Sequence, residues 1–252
     1  MEYNTAQNTA HGAGTDTAME ENHKTMNVLN LEDVTKDFGG APVLSGITLG
    51  IKAGETVAIM GPSGSGKSTL LHCMSGVLTP TSGQVRFKDT VLSDASDAAR
   101  SRTRLAEFGF VFQDHQLLPE LSALDNVALP AMLNGTSRAK ARAKAQELLN
   151  QLGLGTMIDR RPGQVSGGQA QRIAIARALV TSPAVIFADE PTGALDQATG
   201  HEVMQMLSAV VQRTGAALVM VTHDSRVADW MERRIEIRDG IIHDDRLVGG
   251  RR

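Results

Sequence analysis

Gly61-Pro62-Ser63-Gly64-Ser65-Gly66-Lys67-Ser68 stands directly after the apolar run Val57-Ala58-Ile59-Met60, and its reading decides the fold. It fits the phosphate-loop pattern G-x-x-x-x-G-K-[ST]. Chance supplies those four fixed positions in roughly one chain in a hundred of this length. Glycines let the backbone wrap tightly, so that successive N–H groups converge on an anion. A helix opening near Gly66 adds the partial positive charge of its N-terminus at the same point. Lys67 then reaches the outer phosphates, and the Ser68 hydroxyl is suited to ligate Mg2+. A merely structural glycine-rich turn needs neither the Lys-Ser pair nor the strand before it. Gly61 through Thr69 therefore predict a nucleoside-triphosphate site in an α/β fold. Thr69 also speaks against a dinucleotide fingerprint, whose third glycine would fall there.

Composition sets bounds around that loop. The 252 residues are 41% hydrophobic, enough for a sizeable core as one large domain or a domain with a subdomain. A formal net charge of −3 and 3% aromatic residues argue against a nucleic-acid partner. Cys73 is the single cysteine, which rules out an internal disulfide framework and suits a reducing compartment. On the helix after the loop it reads as a small buried thiol. No window approaches the roughly 18 apolar residues of a membrane span. The N-terminus lacks the basic-then-apolar order of a signal peptide. Residues 1–26, rich in Thr, Ala, Asn, Gly and Glu, are expected to form a disordered tail, with Met26 as an alternative start. A short C-terminal tail is expected at 249–252.

From Asn27 the pattern alternates between strands and helices. Val28 to Val34, Ile47 to Ile51 and Gln84 to Lys88 read as strands, and Glu55 to Met60 as a buried central strand. Phe108 to Phe112, Ala184 to Ala188 and Ala217 to Val221 are further buried candidates. No strand candidate falls between Gln113 and Gly168. Arg138 to Leu152 reads as a helix with Leu148, Leu149 and Leu152 as its apolar side. Its Lys140, Arg142 and Lys144 read as a solvated face rather than an anion patch. The plan is a mixed α/β core interrupted by a mostly helical insertion.

The loop alone leaves kinases, GTPases and motor ATPases open. A second feature narrows the choice: the apolar strand from Ala184 ends in Asp189-Glu190. Asp189 at a strand's C-terminal end is placed to hold Mg2+ through water, and Glu190 to polarise an attacking water. A third is Val165-Ser166-Gly167-Gly168-Gln169, directly before an apolar-periodic helix, Ala170 to Val180. Its hydroxyl and N–H groups at a helix N-terminus make a second anion device. One chain thus carries two such devices for one triphosphate.

These motifs together resemble the nucleotide-binding subunit of an ATP-binding cassette (ABC) transporter, from Asn27 to Val248. V-S-G-G-Q resembles the signature motif of that family, with Val165 where Leu is usual. The resemblance implies a P-loop ATPase core with a mixed sheet, an antiparallel β subdomain and a helical subdomain at about 114–168. It also implies a head-to-tail dimer, in which Ser166, Gly167, Gly168 and Gln169 of one subunit meet the γ-phosphate on the loop of the other. By the same resemblance Phe38 matches the aromatic that stacks on adenine. Gln113 matches the glutamine that ligates Mg2+ and senses the membrane partner. Asp196, in Ala194-Leu195-Asp196, matches the loop that crosses the dimer interface, and is equally suited to cap a helix. His223, in Val221-Thr222-His223-Asp224, matches the switch histidine that touches the γ-phosphate and orients water and Glu190.

The resemblance narrows further. His115-Gln116-Leu117-Leu118-Pro119 and Leu124-Asp125-Asn126-Val127-Ala128-Leu129-Pro130 are similar to the macrolide-exporter and lipoprotein-releasing (MacB/LolD-type) branch. That likeness implies an ATPase with ATP and Mg2+ as cofactors. Lys67, Gln113, Glu190 and His223 would be catalytic, and Ser68, Gln113 and Asp189 would hold metal. The expected partners are a second, identical subunit and an integral membrane permease, with the chain held peripherally at the cytoplasmic face of the cell membrane. Its cargo would be lipoprotein, peptide or drug-like molecules, exported or extracted. Two alternatives stand beside this: an ABC ATPase that regulates a membrane complex, such as cell-wall hydrolase control, without moving cargo, and a soluble ABC ATPase.

Overall fold

Two sheets share the chain in the computed structural model, which describes residues 27–249. The tails expected at 1–26 and 249–252 lie outside the described residues, apart from Gly249. β1 (Asn27–Lys36), β2 (Leu44–Lys52), β4 (Ser82–Phe87) and β5 (Thr90–Val91) form an antiparallel sheet in the order β2-β1-β4-β5. The second sheet holds β3 (Thr56–Met60), β6 (Phe108–Phe112), β7 (Val185–Asp189), β8 (Ala217–Val221), β9 (Arg233–Arg238) and β10 (Ile241–Leu247). Its order is β10-β9-β3-β8-β7-β6, and only β10 runs antiparallel to its neighbour.

The two-residue period of a strand sorts the central side chains onto two cores. Val57, Ile59, Val185, Phe187, Val219 and Val221 face a core shared with the antiparallel sheet and with α1 (Lys67–Met74). Ala58, Ile186, Ala188, Leu218 and Met220 face the opposite core, built with the later helices. Burial on both faces is why these strands read as nearly unbroken apolar runs. Each fully buried Val, Leu, Ile or Phe contributes about 1.5–3 kcal/mol. An aromatic chain runs through the first core: Phe87 packs edge-on to Phe108 (centroids 4.8 Å apart), and Phe108 to Phe187 (5.2 Å). Cys73 is buried in α1, and that burial pushes its thiol up to about 11.

The remaining helices are α2 (Asp97–Glu107), α3 (Ala123–Leu133), α4 (Arg138–Gln151), α5 (Gly167–Leu179), α6 (Gln197–Thr214) and the short α7 (Ser225–Ala228). Between Phe112 and Val185 the described chain has no strand; α3, α4 and two single 3-10 turns precede α5. In α4 the buried side is Ala141, Ala145 and Leu149. Asn126, 1% exposed, pins the preceding loop: its carboxamide accepts from Leu118 N (2.8 Å) and donates to the carbonyls of Leu118, Leu121 and Ser122. Asp125, at the start of α3, pairs with Arg142 of α4. Part of the Leu124–Pro130 motif therefore folds the helical region.

The elements outside the expected set include α2, β5, α7 and the β9–β10 hairpin. α2 is polar and buries no residue; Ser96 caps it. The β9–β10 hairpin turns at Asp239-Gly240, both with positive φ (48° and 75°), the backbone a two-residue I′ turn requires. Gly167 and Gly168, expected as a turn before the helix, form its first turn instead, because Ser166 is the N-cap.

Candidate active site

Four parallel strands deliver the candidate residues side by side. Pairing aligns Ile59 of β3 with Val221 of β8, Val221 with Asp189 of β7, and Asp189 with Phe112 of β6. The chain leaves each strand just past that row. Gly61, His223, Glu190 and Gln113 therefore emerge together at the C-terminal ends, where open parallel sheets collect ligands.

A cavity of about 620 Å3 opens there, walled by Val43, Gly61 to Gly64, Gly66 to Thr69, Glu190 and His223. Gly66 is the N-cap of α1 at φ 99°, a left-handed backbone that glycine adopts freely. No side chain caps this helix, so its first N–H groups stay available. Lys67, 9% exposed, donates from Nζ to the carbonyls of Gly61 (2.9 Å) and Pro62 (2.7 Å), which hold the ammonium across the loop. Ser65 is buried beneath the loop, with its Oγ unpartnered among the described residues and its N–H donating to Pro62 O. It does not wall the cavity.

Ser68 Oγ donates to Asp189 Oδ1 at 3.4 Å. Burial pushes the Asp189 carboxyl above its ordinary value, against the Ser68 bond and the charge of Lys67; the neighbouring Glu190 pushes the same way as burial. Glu190 takes a left-handed backbone (φ 47°), which costs a non-glycine residue about 1–3 kcal/mol. That turn carries its Oε1 to 2.9 Å from His223 Nδ1. A carboxylate only accepts, so the imidazole proton sits on Nδ1 and Nε2 is left for another partner. Gln113 flanks the pair: a Cβ on Gly193 would stand 3.0 Å from its amide and 3.3 Å from Glu190 Oε2.

The other candidates stand elsewhere. Phe38 is 64% exposed beyond β1, with Lys36 Nζ 5.0 Å from its ring centroid. Ser166 and Gln169 form a reciprocal capping box on α5: Ser166 Oγ accepts from Gln169 N (3.3 Å) and Gln169 Oε1 from Ser166 N (2.9 Å). The N–H groups of Gly167 and Gly168 are left without intrahelical acceptors. A Cβ on Gly168 would meet Thr199 Cγ2 at 2.4 Å. Thr199 is held by Asp196, which caps α6 through Ala198 N and Thr199 N and accepts from Thr199 Oγ1. The Thr199 hydroxyl bond leads the contacts that hold the Asp196 carboxyl below its ordinary value. Neither Ser166–Gln169 nor Asp196 walls the phosphate cavity.

A family model described as ABC transporter matches residues 44–193, which spans the loop, the signature turn and the Asp189-Glu190 pair. This chain belongs to the ABC transporter family. It is 46% identical over 219 residues to the lipoprotein-releasing system ATP-binding protein LolD of Geobacter metallireducens, covering 85% of this chain and 97% of that protein. It is also 46% identical over 222 residues to the macrolide export ATP-binding/permease protein MacB of Marinobacter nauticus, covering 86% of this chain and 34% of that one. Among solved structures it resembles the dimeric post-hydrolysis state of the ATP-binding cassette MJ0796 bound to ADP and Pi, with a TM-score of 0.81 and 40% identity over 88% of this chain and all of that one. The chain is thus an ABC ATPase subunit of the LolD/MacB type, which binds and hydrolyses ATP. No helix among the described residues is long and apolar enough to cross a membrane.

The contacts of three residues in this cassette escape motif reading, although His115 itself belongs to a motif read in the sequence. Gln171 is fully buried in α5 and donates to the carbonyls of Phe112 and Pro191, joining the strand ends beside Gln113 and Glu190. Arg177 donates to the carbonyls of His115 and Gln116, and burial lowers its pKa. His115 Nε2 lies 2.9 Å from Gly167 O. Of Gln171 and Arg177, only Gln171 leaves a trace in sequence, as a polar residue among the apolar positions of a helix.

Proposed function

We propose that this cassette hydrolyses ATP in a head-to-tail homodimer and thereby drives a separate membrane permease. The observation that carries the reading is the separation of two anion-binding helix starts in one chain. The phosphate loop shares its cavity with Glu190 and His223, whereas the Ser166–Gln169 turn stands outside it with free N–H groups. A second copy can supply that turn to a triphosphate on the loop. The dimeric form of the MJ0796 cassette supports the pairing of two copies.

Each residue then has one task. Lys67 and the N–H groups of the loop hold the phosphates, and exposed Phe38 offers its face to adenine. Glu190, oriented by its bond to His223, accepts the proton of the attacking water. The free Nε2 of His223 turns to the γ-phosphate. The donors fit Mg2+, a hard cation that prefers oxygen: Ser68 Oγ and Asp189 Oδ1 stand together, and the Gln113 amide lies beside Glu190 at Gly193. Once bound, the metal would neutralise charge on the phosphate oxygens. Among the described residues no group of three or more His, Cys, Asp or Glu forms a metal cluster.

A second, mainly apolar cavity of about 430 Å3 supports the permease reading. It lies between Leu105 of α2, Phe110 and Phe112 of β6, Pro130 of α3 and Arg177 of α5, bordering the Gln113 segment at Gln116. A cytoplasmic helix of the permease would seat there, holding the chain at the cytoplasmic face of the membrane. Likeness to LolD over nearly its whole length favours lipoprotein extraction; likeness to MacB leaves export of drug-like cargo as the second reading. The test is Glu190→Gln: it should keep ATP binding, lose roughly 10²–10³-fold in kcat, and accumulate ATP-bound dimers in ultracentrifugation. Turnover near that of the parent would remove Glu190 as the base.

A further inference from the structure

The segment that follows Gln113 is held in an unfavourable backbone. His115 and Gln116 are consecutive non-glycine residues with positive φ, 60° and 48°. Such conformations persist only where surrounding contacts over-determine them. Here the contacts come from α5. The Arg177 guanidinium, in the last turn of that helix, donates to the carbonyls of both residues. At the other end of α5, the His115 imidazole reaches the signature turn, with Nε2 2.9 Å from Gly167 O. A carbonyl oxygen only accepts, so Nε2 carries the proton and donates.

The two grips do different work. The body of α5 is fixed by Ile173, Ala174, Ile175 and Ala176, all buried, and by the Arg177 bonds. Its first turn is exposed at Ser166 and Gly167, and there the imidazole is a side-chain tie from outside the capping box. Its loss would leave the helix in place and take this tie from the turn that carries the Gly167 and Gly168 N–H groups.

We infer that His115 is a positioning residue that fixes the orientation of the signature turn, so that displacement of the Gln113 segment and presentation of the Gly167 and Gly168 N–H groups are one motion. The inference rests on the head-to-tail reading. It makes the permease-facing segment an adjuster of the site on the other subunit, where its own chain contributes no phosphate loop. His115 touches no nucleotide in this arrangement, so its loss spares ATP binding by the isolated cassette.

The experiment uses the full chain carrying Glu190→Gln, with ATP-driven dimerisation followed by analytical ultracentrifugation in Mg-ATP. Adding His115→Phe, which keeps an aromatic ring but has no donor, should raise the protein concentration needed for dimers about tenfold, the size of one well-made hydrogen bond. His115→Gln, whose amide N–H can reach the same carbonyl, should recover most of that loss. Affinity of the dilute chain for a fluorescent ATP analogue, and Tm, should stay at parent values in both. Parent-like dimerisation of His115→Phe overturns the inference. Equal falls in Tm and analogue affinity overturn it as well, since they mark a general structural role. Failure of the Glu190→Gln parent to dimerise at all overturns the head-to-tail reading itself, and the inference with it.

Discussion

The phosphate loop and the signature turn are both helix starts that offer backbone N–H groups to an anion, but they are finished in different ways. Gly66 begins α1 without a side-chain cap, so every early N–H stays free. The loop folds over that end, with Lys67 nearly buried against its own carbonyls. Ser166 begins α5 with a capping box that occupies the third N–H and leaves two, on an exposed turn. The first device encloses an anion from several sides; the second can touch only one face of it. An enclosing site binds alone, whereas a touching site acts on a phosphate already held elsewhere. Affinity for ATP should therefore belong to Gly61–Thr69, and the assembly of a competent site to Ser166–Gln169.

The largest effect that would break this contrast is at Lys67. Lys67→Ala removes the one ammonium in the phosphate cavity and two charge-assisted bonds. ATPase kcat/KM should fall by roughly 10³-fold, with affinity for ATP down at least about tenfold. Titration of the dilute chain with a fluorescent analogue checks the second figure; unchanged affinity would shift the enclosing role away from the loop.

Gly168→Val probes the other half. A Cβ there would stand 2.4 Å from Thr199 Cγ2, and Thr199 has little freedom because its hydroxyl is bonded to Asp196. The signature turn must then move off α6. We expect kcat to drop roughly 10²-fold, as for loss of a transition-state hydrogen-bond donor, with ATP affinity of the dilute chain unchanged. Equal losses in kcat and affinity would show that the two regions do not divide the work.

Much of the enclosing region was legible in sequence, and less of the touching one, for a physical reason. A phosphate loop is local: its glycines, lysine and serine are neighbours in the chain, and the β3 strand before it is apolar enough to read. The Asp189-Glu190 pair and His223 are legible as strand ends, although the positive φ that turns Glu190 towards His223 has no signal in residue type. The signature turn depends on contacts far apart in sequence. Thr199 behind Gly168, His115 at Gly167 O, and Gln171 between Phe112 and Pro191 are brought together only by packing. The β9–β10 hairpin could have been read, since Asp239-Gly240 between Ile237 and Ile241 is a turn signal. α2 is rich in polar and charged residues and buries none of them, so it lacks the apolar run by which the buried elements were read.

The smallest effect sharpens the comparison from the scaffold of the signature side. Asp125 at the start of α3 pairs with Arg142 of α4 and accepts from Ser122 Oγ. Burial alone would raise its carboxyl, but the Arg142 and Ser122 bonds and the nearby cationic charge outweigh burial and hold it below the ordinary value. A carboxyl whose folded pKa is depressed stabilises the fold above its unfolded pKa, and that stability is lost as pH falls through the folded pKa. Asp125→Asn should therefore cost about 1 kcal/mol near neutral pH, a Tm decrease of roughly 2–4 °C. In acid, the variant and parent melting curves should draw together as pH falls past the usual aspartate value of about 3.9 and converge only below the depressed folded pKa of Asp125. A gap that persists unchanged in acid would mean that packing, and not the ion pair, joins α3 to α4. The phosphate loop lies on the other side of the central sheet from this pair, so ATP affinity of the dilute chain should not change. A measurable loss of turnover with that affinity intact would trace the signature turn's dependence to the helices that carry it, and a parallel loss of ATP binding would make the two regions a single cooperative unit.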